Sequence, residues 1–281
     1  MVRFRVIKGS HLLLALAAVI LLAVLAVILL QGSAGKEAAV MSTQTEARVL
    51  QTFASAGVSG LKIEVIPDPT ATPLPTNGKR ILIYHTHTHE AYAQVEDDPY
   101  VAVETWRTED AEHSVVRLGA VLAELLRAKG YEVIHDRTDH EQQDINQSYL
   151  RSLHTLEAYE EKFDLTIDLH RDAYVESLSP CLFSGGTEYA QLMLLVGRGD
   201  AYDGELKPDY EGNLAFAQRL TSSINAQIPG LCRNVTVKKG RYNQHIGERA
   251  ILVEVGHNLN TLEQALNSIP SLAEAIQKTL S

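Results

Sequence analysis

The sequence predicts an α/β fold: a mostly parallel, twisted sheet with helices on both faces, preceded by one transmembrane helix and a linker. Three observations predict it. From residue 80 onward, short apolar runs alternate with stretches of helical periodicity, the signature of βαβ units. An uncharged apolar run fills residues 12–30. Between the two lies IPDPTATPLPTNGK, whose Pro67, Pro69, Pro73 and Pro75 deny it helix and central strand.

The elements follow in order. Residues 1–10 carry Arg3, Arg5 and Lys8 and read as a cytoplasmic tail. Residues 11–30 are long enough to cross a bilayer as a helix, which needs about 20 residues. A cleaved signal has a shorter apolar core and a small-residue cleavage site, and QGSAGKEA offers a poor one. The expectation is therefore an uncleaved single-pass membrane anchor. The cations before it place the N-terminus in the cytoplasm and the remainder outside. Residues 31–78 are a stalk and a proline-rich linker. Residues 79–281 form the folded domain.

Within that domain RILIY is a strand. EHSVVRLGAVLAELLRAKG is a helix closed by a glycine. YEVIHD is a strand, SYLRSLHTLEAYEEK a helix, FDLTIDLH a strand and AQLMLLVG a strong strand. NLAFAQRLTSSINAQI is a helix, NVTVK a weak strand and RAILVEVG a strong one. TLEQALNSIPSLAEAIQKTL is a terminal helix, bent or broken at Pro270.

Composition narrows the function. The chain has 281 residues, 45% of them hydrophobic, which suits one sizeable globular domain. Its net charge of -10 argues against nucleic acid as a partner. Cys181 and Cys232 form no CxxC pair, which excludes a cysteine-rich zinc ribbon; outside a membrane they could pair or simply be buried.

The polar clusters fall at predicted strand ends, where open α/β sheets bind ligands. HTHTHE follows RILIY. His170, Arg171 and Asp172 follow DLTID, and Glu254 ends ILVE. His87 and Glu90 form an HxxE spacing after a strand, unlike the helical HExxH of zincins. With His170 as third ligand, one tetrahedral position stays open for water, as in catalytic zinc sites. Imidazole and carboxylate donors suit Zn2+ better than magnesium or calcium. Glu254, flanked by apolar residues, is the candidate general base, since burial raises a carboxyl pKa. Asp168 alternates onto the side of His170, where it either orients that imidazole or caps the strand end. His85 reads as a supporting residue or strand-end packing, and His89 as exposed. Arg171 is a candidate for meeting a developing oxyanion. There is no GxSxG elbow, P-loop or dinucleotide motif.

These pieces resemble the stage II sporulation protein P family. ILIYHTHTHEAY, VVRLGAVLAELLRAKGYEVIHDRTDHE, SYLRSL, IDLHRDA, NLAFAQ, RYNQH and ILVEVGHNLNTLEQA occur in that family's order across roughly residues 80–270. The resemblance implies a membrane-anchored, zinc-dependent peptidoglycan hydrolase. Its fold is similar to that of N-acetylmuramoyl-L-alanine amidases, and it cleaves the amide between N-acetylmuramic acid and L-alanine, and peptide cross-links, during sporulation engulfment. It implies stage II sporulation proteins D and M as partners. It maps His87, Glu90 and His170 to the metal and Glu254 to acid–base catalysis. In the amidases the ligand glutamate lies farther along, which here falls near Glu109, Asp110 or Glu112. The HxxE spacing resembles zinc carboxypeptidases, and Glu90 is the assignment taken. The alternatives are a zinc carboxypeptidase or deacylase of small amides, and a non-catalytic wall-binding module.

Overall fold

The computed structural model describes residues 77–142, 144–179, 181–200 and 206–280. These belong to the compact unit Ser59–Ser281; the other unit, Met1–Val58, lies outside them. The strands are β1 (Arg80–Tyr84), β2 (Glu132–His135), β3 (Leu165–Asp172), β4 (Leu182–Ser184), β5 (Thr187–Tyr189), β6 (Leu192–Gly197), β7 (Thr236–Lys238) and β8 (Ala250–His257). The helices are α1 (Val115–Ala128), α2 (Ser148–Glu157), α3 (Tyr210–Gln227) and α4 (Leu262–Leu280).

Six strands form one sheet in the order β2-β1-β3-β8-β6-β7. All neighbours are parallel except β6 and β8, which pair antiparallel. The chain leaves β1 for β2 on one side and returns to β3 on the other. The carboxyl ends of β1 and β3 therefore flank a point where the strand order reverses, the place where such sheets form a crevice.

Strand alternation divides the residues between two faces. Ile81, Ile83, Leu165, Ile167, Leu169, Ile251, Val253 and Val255 join the main core with α1, α3 and α4. On the opposite face Leu82 and Tyr84 meet Leu156 of α2 in a smaller cluster. The same face carries Asp168, His170 and Glu254. The β3–β8 register sets His170 directly beside Glu254.

Local chemistry explains the helix limits. Ser114 caps α1 through its side chain, which accepts a bond from the Val116 amide. Past its C-terminus Gly130 takes a φ of 87°, a left-handed conformation glycine adopts without strain. Helix α2 stops at Glu157, short of the expected Lys162. The acidic Glu160 and Glu161 would oppose the negative end of a longer helix dipole. Helix α4 runs through Pro270 rather than ending there. Buried Ala265, Ile269, Leu272, Ala273 and Ile276 lie on both sides of the proline. Their packing outweighs an interior-proline cost of about 3 kcal/mol. The hairpin β4–β5 was not expected; Gly185 and Gly186, both at positive φ, form its two-residue turn.

One expectation is corrected. Among the described residues no helix is long and apolar enough to cross a membrane. The longest, α4, has 19 residues but interrupts its buried stripe with Glu263, Gln264, Asn267, Glu274, Gln277 and Lys278. The anchor expected over residues 11–30, with its tail and nearly all of its linker, lies outside the described residues. The transmembrane helix, the single-pass membrane location and the membrane anchoring are accordingly withdrawn; no described residue bears on stage II sporulation proteins D and M as partners.

Candidate active site

Four histidine- and carboxylate-bearing segments meet where β1, β2, β3 and β8 end. The HTHTH run lies beyond the end of β1, and its histidines part to different sides. His85 is fully buried on the helix face, where its Nδ1 donates to Leu169 O at 2.8 Å. Its Nε2 lies 2.9 Å from Nε2 of His135. Since the carbonyl can only accept, His85 carries its proton on Nδ1, and His135 donates to its Nε2. His87 turns to the other face. Its ring packs edge-on against His170, with centroids 5.4 Å apart, and against Tyr149 at 5.8 Å. His89 is largely buried, not exposed as expected: its Nε2 is 3.1 Å from Asp139 Oδ2.

His170 is buried between two carboxylates. Glu90 Oε2 lies 3.4 Å from its Nδ1, and Asp168 Oδ1 lies 2.8 Å from its Nε2. The second contact is short but off the N–H direction, so Nε2 is left without a true hydrogen bond. Burial would lower the His170 pKa, but Asp168 and Glu90 raise it well above the ordinary value. Asp168 is itself fixed by Thr86, whose amide donates to Oδ1 at 2.8 Å and whose hydroxyl donates to Oδ2 at 2.7 Å. Burial opposes its charge, yet His170 and Thr86 hold its pKa below the usual range.

Glu90 is buried and accepts from the Arg171 amide at 3.0 Å. Burial raises its pKa, while His170, Arg171 and His87 lower it further, leaving it depressed. The Arg171 guanidinium points elsewhere: Nε donates to Ala91 O and Nη2 to Trp106 O, tying down the loop beyond Glu90. The alternative acids face other partners or solvent. Asp110 pairs with His113 at 2.8 Å and Glu112 with Arg117 at 3.4 Å, and Glu109 is exposed.

Glu254 is partly exposed as a residue, but its Oε2 is buried with no hydrogen-bond partner. Burial pushes its pKa up to about 8; His170 opposes this, and Glu90, Asp172 and Asp168 add to it. A carboxyl of this kind exchanges protons near neutral pH.

Sequence reasoning missed Glu141, from the loop after β2. Its side chain is buried and accepts from His87 Nδ1 at 2.7 Å, Arg107 Nη2 at 2.6 Å and the His89 amide at 2.6 Å. Burial raises its pKa, but these donors bring it down to about 2. The only hint in the sequence is its place just beyond a strand carboxyl end. Tyr149 was missed too. It enters from the first turn of α2, and Asn243 Nδ2 donates to its carbonyl at 2.9 Å.

Among the described residues no group of three or more His, Cys, Asp or Glu side chains is placed to hold a metal ion. The donor set nevertheless suits a cation. Glu90, Asp168, Glu141 and Glu254 crowd two imidazoles, and two buried polar atoms of this set, His170 Nε2 and Glu254 Oε2, have no hydrogen-bond partner. The 3.4 Å between Glu90 and His170 is long for a hydrogen bond. It equals the separation, roughly 3.4 Å, of two donors each about 2.1 Å from a tetrahedral zinc.

The chain matches the family model described as Stage II sporulation protein P over residues 33–277. A curated relative, stage II sporulation protein P of Bacillus subtilis (strain 168), is 27% identical over 219 residues, covering 70% of this chain and 51% of the relative. The chain thus spans about half that relative's length. Among solved structures it is similar to the CwlD amidase from Clostridioides difficile, solved in complex with the GerS lipoprotein, with a TM-score of 0.47 and 16% identity over 72% of this chain and 98% of that one. It is also similar to the N-acetylmuramyl-L-alanine amidase Ami1 from Mycobacterium smegmatis, with a TM-score of 0.45 and 12% identity over 74% and 99%.

Proposed function

The chain belongs to the stage II sporulation protein P family, and on that premise we propose that it is a zinc-dependent peptidoglycan hydrolase cleaving the amide between N-acetylmuramic acid and L-alanine. The observation that carries this reading is Glu254: a carboxylate with a buried, unpaired oxygen and a raised pKa, set beside His170 by strand register. His87, Glu90 and His170 would hold the zinc, which when bound supplies Lewis-acid polarisation and water activation.

The chain's own residues do the rest. Glu254 takes a proton from the attacking water and returns it to the leaving amide nitrogen. Asp168, locked by Thr86, sets a negative charge 2.8 Å from His170 Nε2. The Arg171 side chain is occupied by two loop carbonyls, so it braces Glu90 and the loop rather than meeting an oxyanion.

The experiment is digestion of purified sacculi by wild type and Glu254→Gln. The reading predicts peptide-free glycan strands and intact stem peptides from wild type, and neither from the variant. The His87–Glu90 spacing favours a second reading, a carboxypeptidase, which would release only terminal amino acids. Unchanged turnover in Glu254→Gln would remove the assigned base.

A further inference from the structure

We propose that Glu141 is a positioning residue: clamped by Arg107, its carboxylate fixes the His87 imidazole in the one tautomer that leaves Nε2 free to ligate a divalent metal. The inference rests on the reading of His87 as a zinc ligand.

An ionised carboxylate only accepts hydrogen bonds. With Glu141 Oε1 2.7 Å from His87 Nδ1, the imidazole proton must lie on Nδ1. The lone pair is then on Nε2. Ligating histidines commonly show this arrangement, in which the far nitrogen donates to a carboxylate that orients the ring and raises its basicity.

Glu141 is held too firmly for a chance surface contact. Its side chain is 1% exposed. Oε1 also accepts from Arg107 Nη2 at 2.6 Å, and Oε2 accepts from the His89 amide at 2.6 Å. Its own amide donates to Asp139 Oδ1 at 2.9 Å, which fixes the backbone beneath it. The HTHTH segment is therefore gripped twice, at a ring and at an amide two residues later. Two ring contacts, with Tyr149 and His170, oppose rotation of His87 from the other side.

Arg107 extends the connection to the surface. It forms an isolated β-bridge with Glu90, so one residue braces both Glu90 and the carboxylate behind His87. The loop that Arg171 ties down thus also sets the orientation of His87.

The test uses the full chain. Zinc affinity is measured by competition with a chelating dye for wild type, Glu141→Gln and His87→Ala. The His87 tautomer is read in the zinc-free wild type by long-range proton–nitrogen NMR. The proposal predicts a 10–100-fold weaker zinc affinity for Glu141→Gln, a larger loss for His87→Ala, and an Nδ1–H tautomer for His87. Wild-type affinity in Glu141→Gln, with His87→Ala impaired, would overturn the role of Glu141 and leave the zinc reading standing. Wild-type affinity in His87→Ala would remove the ligand assignment and this inference with it. Should Glu141→Gln fail to fold, the wild-type tautomer decides: Nδ1–H supports the role and Nε2–H overturns it.

Discussion

The two faces of the sheet treat the same residue type in opposite ways. On the helix face His85 and His135 hydrogen-bond each other and a backbone carbonyl, and burial pushes their pKa values down to about 4 and about 3. Across the sheet His170, buried like His85, is driven upward by Asp168 and Glu90. Burial alone disfavours charge in both places. The partners decide: a carbonyl and a second imidazole keep a histidine neutral, whereas carboxylates call for positive charge. On one face an apolar core surrounds two mutually satisfied imidazoles. The other gathers carboxylates and leaves buried oxygen and nitrogen atoms without partners. Proteins retain such a deficit at sites that bind or react.

The largest expected effect breaks the polar face alone. Glu254→Gln should lower peptidoglycan hydrolysis by about 10²–10⁴-fold, the usual worth of a general acid–base. Its thermal midpoint should stay at or above that of wild type, because an unpaired buried carboxyl is neutralised. A fall in the midpoint together with activity would mean that Glu254 is structural.

The second effect breaks the apolar face alone. Leu122→Ala empties a fully buried position in α1 and should cost about 2–5 kcal/mol in urea unfolding. Zinc bound per folded molecule should not change. Metal loss from the still-folded variant would show that the faces are not independent.

A smaller effect probes the seam between helix and histidine pair. A Cβ on Gly119 would come within 2.5 Å of His135 Nε2 and 2.6 Å of His85 Nε2. Both rings are engaged and cannot simply swing away. Gly119→Ala should therefore destabilise by about 1–3 kcal/mol, despite alanine's better helix propensity of roughly 1 kcal/mol. A more stable variant would show that the pair is loosely packed.

The smallest effect is in pH dependence. The folded pKa values of His85 and His135 lie below the ordinary 6.5. The unfolded chain thus binds more protons as pH falls below that value, and stability drops toward pH 4 and 3. It is fully present above about pH 6.5. His135→Gln keeps a donor for His85 without titrating. Its unfolding free energy should fall less between pH 7 and pH 5 than that of wild type; an equal fall would place the acid sensitivity elsewhere.

Much of the strand and helix order was legible because period-two and helical runs alternate so regularly from Arg80 onward. The strand ends then pointed to His87, His170 and Glu254, since parallel neighbours in an α/β sheet present their carboxyl ends together. Strict alternation would put His85 and His87 on one side, and the structure separates them. The chain leaves the strand after Tyr84, so the pleat no longer dictates direction. Glu141 was invisible because a loop conformation, not a period, carries it to His87. Arg171 was misjudged for a related reason: its guanidinium is used by carbonyls of a loop whose path no local pattern records. The hairpin turn at Gly185 and Gly186 was readable and was passed over, because its strands have only three residues each.

The most direct measurement is zinc-edge X-ray absorption of the zinc-loaded full chain, wild type against His170→Ala. The account predicts one zinc per wild-type chain in a nitrogen–oxygen shell at about 2.0–2.1 Å, with histidine scattering that falls, or zinc that is lost, in the variant. A sulfur ligand from Cys181 or Cys232, or a spectrum unchanged by His170→Ala, would contradict it.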